Sequence, residues 1–144
     1  MNGAEWLKWA QVFKLLRRAV IVAPSRVLVS SASATGFQPS ATRDVEVRYE
    51  GTFSTTTTIG GPSNIEVLLE TADTNSTTPG DWTVIARQRT NNTATLAVVL
   101  QLVQIIPWLL ARRIPAGKWV RIRYASVTGT ASAAVNAEQQ EVLL

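Results

Sequence analysis

The sequence contains no cysteine and no histidine. Without cysteine there are no disulfides, and the redox compartment leaves no mark. Without histidine the chain lacks the commonest general base, the commonest metal ligand and the side chain that changes charge near neutral pH. Ser-His-Asp, Cys-His, zinc and haem chemistry within the chain are thereby excluded. Charge is scarce as well: 17% of residues are charged, against about 25% in an average soluble domain. Long apolar runs are missing. The segment Leu96–Leu110 is interrupted by Gln101, Gln104 and Pro107 and falls short of the ~20 residues that span a bilayer. The apolar run Ala19–Ala23 is too short for the core of a signal peptide. Neither a transmembrane segment nor a signal peptide is therefore expected. No Gly-rich phosphate loop or nucleotide fingerprint is present. Carboxylates, lysines, tyrosines and hydroxyls are all that remain for catalysis, so the expectation is a protein that is not an enzyme and holds no cofactor.

What is present divides into two parts. Residues 1–26 hold Lys8, Lys14, Arg17, Arg18 and Arg26 against Glu5 alone. The remainder holds nine basic and nine acidic side chains. The whole excess charge of +4 therefore sits at the N-terminal end, which points to an acidic partner surface. Trp6, Trp9, Ala10, Phe13, Leu16 and Val20 recur at spacings of three and four, the period of one helix face. The spacing predicts an amphipathic helix over 4–20, ended by Pro24, within a basic arm spanning 1–24. Trp6, Trp9, Phe13, Lys14, Arg17 and Arg18 are the candidate partner-binding residues of this arm. Docking on protein, packing on the chain's own body, lying in a lipid interface and touching nucleic acid are all open to it. Nucleic acid is disfavoured, because arms built to neutralise phosphates carry denser charge and less tryptophan.

From Ser25 onward β-branched residues and turn residues dominate. Arg26–Ser33 reads as a strand and Ala34–Ala41 as a loop. Arg43–Phe53 alternates, with Val45, Val47 and Tyr49 opposite Asp44, Glu46, Arg48 and Glu50, the pattern of a strand with one wet face. Thr55–Ser63 reads as a polar loop, Ile65–Thr71 as a buried strand, Ala72–Asp81 as a loop and Trp82–Arg89 as a strand. Thr93–Ile106 reads as a long strand broken by Pro107, and Leu109–Gly117 as a connector. Lys118–Thr128 alternates Trp119, Arg121 and Arg123 against Val120, Ile122 and Tyr124. Residues 130–143 give a last strand. Seven or eight short strands at this spacing predict an antiparallel β-sandwich over 25–144, of jelly-roll or immunoglobulin-like type, with a barrel as the alternative.

Three further constellations carry chemistry. Asp44, Glu46 and Glu50 share a strand face, but Arg48 lies among them, so a solvated face is favoured over a hydrolytic carboxylate pair. Asp73 and Asp81 flank a polar loop without the spacing of a calcium loop, and no metal is expected. Trp82, Trp119, Arg121 and Arg123 offer a surface or ligand contact, through stacking of an arginine on tryptophan, against a structural role on the sheet. The triplets beginning at Asn75 and Asn91 fit glycosylation acceptors but arise by chance in a threonine-rich chain.

The strand Ile65–Asp73, followed by Asp81-Trp82-Thr83-Val84-Ile85-Ala86 and later by Pro115–Tyr124, resembles tailed-bacteriophage capsid decoration (cement) proteins. It is similar more loosely to discoidin-like and toxin lectin-like jelly rolls, and Val120–Ser126 to the final domain of insecticidal crystal toxins. The resemblance covers about residues 64–130 and rests mostly on strand alternation. Discoidin-type modules usually keep cysteines, which this chain lacks, and the predicted helix has no counterpart. The phage resemblance implies an oligomeric virion protein on the capsid surface. It would bind other protein subunits, the major capsid protein first, and stabilise the lattice. The alternatives are a carbohydrate- or surface-binding jelly-roll module, and a small jelly-roll coat protein whose basic arm meets the genome.

Overall fold

The structure is a computed structural model and describes residues 4–5, 28–94, 96, 102–129 and 131–142. Among them, seven strands make two antiparallel sheets: β1 (Val45–Thr58), β2 (Gly61–Pro62), β3 (Asn64–Ala72), β4 (Thr83–Arg89), β5 (Leu102–Ile114), β6 (Trp119–Thr128) and β7 (Ala131–Val142). In the four-stranded sheet β1 is central. β5 pairs along one edge, and β7 followed by the short β2 pairs along the other. The second sheet has the order β4–β3–β6. The β1–β2 and β3–β4 turns stay within a sheet, and β2–β3, β4–β5, β5–β6 and β6–β7 each cross between sheets. The result is a β-sandwich.

The core follows from alternation. Val45, Val47, Tyr49 and Phe53 of β1 meet Trp108, Leu110 and Ile114 of β5 on the inner face of one sheet. Ile65, Val67 and Leu69 of β3 with Val120 and Ile122 of β6 supply the other inner face. Each is a β-branched, aromatic or leucine side chain suited to a pleated, half-buried surface. Gly51 lies in the same inward series. A Cβ there would collide with the Trp108 ring and with the carbonyl oxygen of Ala134. Gly51 thus gives Trp108 its place, and the register of β7 on β1 shifts at this point, between Glu50 and Gly51.

Four sequence expectations need correction. Residues 26–33 do not form a strand among the described residues. Leu28–Phe37 instead straps the free edge of β6. Val29 bridges Arg123 in parallel, with its N–H 3.1 Å from the oxygen of Ile122, and Phe37 bridges Val120 in antiparallel at 2.8 and 2.9 Å. The expected loop Ala34–Ala41 thus contributes one edge bridge. Thr55–Ser63 is not a loop throughout, because β1 continues to Thr58. Thr55 and Thr57 face inward and are fully buried, where their branched side chains pack as strand residues. Pro107 does not break the long strand: β5 runs through it and through most of the expected connector. Two residues on, the Leu109 N–H points away from β1 to Gln88 Oε1 at 3.0 Å. Pro107 has the same orientation, so the N–H it lacks would have faced the edge and not the ladder.

The predicted helix over 4–20 lies outside the described residues except for Ala4 and Glu5, which are helical and exposed. Beyond those two residues and the turn Pro79–Asp81, no helix is formed among the described residues, so the N-terminal helix stands unsupported. The apolar stretch Leu96–Leu100 also falls outside them, apart from Leu96.

Gly51→Ala tests the packing of the central strand. It should lower stability by about 2–3 kcal/mol through overpacking against Trp108, read from the urea unfolding midpoint. A change at Gly80, where an added Cβ meets nothing, should leave the midpoint near that of the parent.

Candidate interaction surface

The two outer faces of the sandwich differ. On the three-stranded sheet, Glu70 of β3 stands directly opposite Arg121 of β6, and Arg123, the partner of Leu68, stands diagonal to it. Its carboxylate accepts from Arg121 Nε at 2.6 Å and from Arg123 Nη2 at 2.9 Å. Arg121 also donates to the carbonyl of Ala34 in the strap, and its guanidinium lies 4.2 Å from the centre of the Trp82 ring. Trp82 Nε1 donates to the Ser76 carbonyl at 2.9 Å, and Asn75 Oδ1 accepts from the Gly36 N–H at 2.8 Å. A Cβ at Gly36 would strike both the Trp82 ring and the Val120 carbonyl, so glycine lets the strap lie close. Strap, loop and sheet are thus joined at Arg121.

Of Trp82, Trp119, Arg121 and Arg123, weighed in the sequence as a surface contact against a structural role on the sheet, this cluster takes in Trp82, Arg121 and Arg123. The alternation is as expected, but the outer face is covered: Arg121 is 3% and Trp82 7% exposed. Arg123 and Trp119 are half-buried. The Trp119 carbonyl accepts from Thr71 Oγ1 at 2.9 Å. The stacking foreseen for an arginine on tryptophan does occur, with Trp82 as the ring, and it serves to close the structure. The sequence signal that could have shown this is Glu70, an acid directly after the apolar run Val67-Leu68-Leu69.

Burial raises the Glu70 carboxyl, but hydrogen bonds from Arg123 and Arg121 and their positive charges outweigh it and hold it below the ordinary value of 4.5. Elsewhere the carboxylates are engaged one by one. Asp44 accepts from the Ala116 N–H at 3.0 Å and pairs with Arg113, and these hold its carboxyl below the usual range. Glu50 pairs with Arg48 at 2.6 Å, Asp73 with Lys118, and Asp81 accepts from Ser76 Oγ. Glu46 points to solvent. No group of three or more acidic side chains that could hold a metal stands together among the described residues. No helix among them is long and apolar enough to cross a membrane. The arm residues Trp6, Trp9, Phe13, Lys14, Arg17 and Arg18 lie outside the described residues.

The outer face of the four-stranded sheet is uncovered among the described residues. Its β5 side chains are exposed and apolar: Val103 at 53%, Ile105 at 64% and Leu109 at 45%, with Pro107 between them. Across the register stand Thr56, Ser54 and Thr52 of β1, then Ser132 and Ala134 of β7. None of these carries charge. Towards the other end the face turns polar, with Glu50, Arg48 and Glu46. At the transition a groove of about 500 Å³ crosses the strands, walled by Pro107 and Leu109 and edged by Glu50, Thr52, Gln88 and Asn136. Sequence reading missed this surface, because it took Pro107 for a break and so never placed Ile105 and Leu109 on one strand face.

No family model matches the chain. Over 132 residues it is 33% identical to uncharacterized protein 443R of Invertebrate iridescent virus 6. It resembles a segment of a viral protein. The match covers 91% of this chain, so it takes in part of the N-terminal arm as well as the sandwich, and it spans 5% of the length of the viral protein. The solved structure of Eiger TNF from S. frugiperda superposes with a TM-score of 0.43 at 10% identity, over 73% of this chain and 61% of that one.

Glu70 yields a signed pH prediction. Its carboxyl is depressed in the folded state, so its stabilisation is complete above the unfolded value and is lost as pH falls through the folded one. The urea midpoint should therefore hold near neutrality and drop below about pH 4.5. Glu70→Gln should cost about 3 kcal/mol at pH 7, because two arginines lose their buried counter-charge, and the acid drop should become shallower.

Proposed function

We propose that this chain is a virion structural protein, a capsid decoration subunit of jelly-roll type that sits on the capsid surface and binds protein rather than catalysing a reaction. The observation that carries the reading is the uncharged outer face of the four-stranded sheet, with its row of exposed apolar side chains on β5. Large apolar side chains gathered on one face favour a protein partner, since exposed patches of this kind mark interaction sites. The likeness to a segment of a viral protein supports a viral setting. A stretch of similar sequence within a chain about twenty times longer also suits a module that works as one part of a larger assembly. The partners in this reading are other protein subunits, the major capsid protein among them, and the basic arm supplies a second contact.

Size supports a lattice over an isolated pair. Three strands about 4.8 Å apart and seven residues at about 3.4 Å each give a face of roughly 300 Å² in projection. A stable two-body interface needs about 800 Å² per partner. Repetition over a lattice makes up such a shortfall, because each further contact forms at high effective concentration.

The test is quantification of the chain in gradient-purified particles of its source virus. Retention at a fixed ratio to the major capsid protein through repeated washing is the expected result. A chain found only in the soluble fraction of infected cells would overturn the reading.

A further inference from the structure

We infer that the groove between Pro107 and Leu109 receives Ile105 from a second copy of this chain, so that two outer faces pack across a two-fold axis. The inference rests on the reading that this face binds protein, and it names the partner.

The face carries both halves of a self-complementary contact. Ile105 is the most exposed large apolar side chain among the described residues. The groove walls, Pro107 and Leu109, lie two and four residues further along the same strand and point the same way. Knob and hole are therefore about 10 Å apart on one surface. A two-fold axis between them puts each knob into the other copy's hole, which is the condition for an isologous contact. Charge permits it. Ile105, Pro107, Thr52, Ser54, Ser132 and Ala134 bring no charge to the centre. Glu50, at the groove's edge, already accepts from Arg48 Nε at 2.9 Å and Nη2 at 2.6 Å. A neutral apolar side chain can enter there without burying an unpaired charge, whereas an acidic one would meet Glu50.

The alternative meeting of two such subunits is edge to edge along β5. Pro107 opposes it, because it has no N–H to give a neighbouring strand. Further along, the same edge is already used: Gln88 Oε1 accepts from the Leu109 N–H and Arg112 Nε donates to the Ile85 carbonyl at 3.2 Å. Face-to-face packing is left as the geometry that satisfies both the exposed side chains and the groove. The small area makes this dimer weak and concentration-dependent.

The experiment uses the full chain. Light scattering over a concentration series should show the mass rising from one chain toward two. Ile105→Glu should abolish the rise, and Val103→Lys, at a second exposed position, should weaken it. Unchanged urea midpoints would show that both variants fold. The chain has no native cysteine, so single thiols read cleanly: mixing Ile105→Cys with Leu109→Cys chains should give the mixed disulfide in excess of either symmetric one. A full chain that remains monomeric, or an Ile105→Glu chain that associates as well as the parent, overturns the proposal. Symmetric disulfides in excess overturn it too. If the parent is monomeric while Ile105→Glu is lost from washed particles, the face takes a foreign subunit: the second copy is then refuted and the virion reading stands.

Discussion

Register along β1 governs the four-stranded sheet, because among the described residues it is the one strand of that sheet paired on both edges for most of its length. Its inward series runs Val45, Val47, Tyr49, Gly51, Phe53, Thr55, Thr57. A slip of one residue would turn that series to water and put Glu46, Arg48 and Glu50 into the core. The pairing of Gly51 with Trp108 fixes the register further. Only at glycine can the indole lie under the strand, so the largest side chain in that sheet has one place to go. The outer face inherits this order. Ser54 stands beside Ile105 and Thr52 beside Pro107 because Gly51 stands beside Trp108.

The strand content was legible where one face is wet and one dry. Arg43–Phe53 and Lys118–Thr128 announce their inner residues through strict alternation, and the structure buries Val45, Val47, Tyr49, Val120 and Ile122. Legibility failed where a local signal competed with pairing. The threonines of 55–58 carry the polarity of a loop but the branching of a strand, and tertiary pairing with β5 decided the matter. Pro107 was read as a break because proline removes a ladder bond. That rule binds only for a residue whose N–H faces a neighbouring strand, and edge position cannot be seen in a sequence. The strap at 28–37 escaped for a similar reason. It makes two isolated bridges and no continuous ladder, so it has no period to detect.

The candidate site was half legible. Trp82 and Arg121 were singled out as chemically notable, and they do stack. How they are held was not legible, since nothing local says that Glu70 from another strand neutralises Arg121 or that the Ala34 carbonyl accepts from it. Buried ion clusters of this kind are costly to assemble and costlier to break. They suit a place where separate segments must be held in one arrangement. Here the strap, the loop carrying Trp82, and the sheet all depend on the same guanidinium.

The two outer faces consequently have different fates. On the face of the three-stranded sheet Arg121 and Arg123 are turned to Glu70 and the strap closes along the edge beside them, while Arg87 and Arg89 of β4 stand exposed. The face of the four-stranded sheet near β5 has no charge to satisfy and no strap among the described residues. A low overall charge could have been spread evenly over the surface. Charge on this face is instead kept to its far end, at Glu46, Arg48 and Glu50, which leaves the end carrying Val103 and Ile105 apolar and cheap to desolvate. A surface that only needed solubility would have placed a charge among Val103, Ile105, Pro107 and Leu109, four successive outward positions on an edge strand, since such edges are aggregation hazards. Proline at the third position guards against ladder growth while leaving the apolar face uncovered. That combination suppresses pairing through the backbone and retains contact through side chains, which is what a subunit needs if it is to meet partners in one geometry and not in an open-ended sheet.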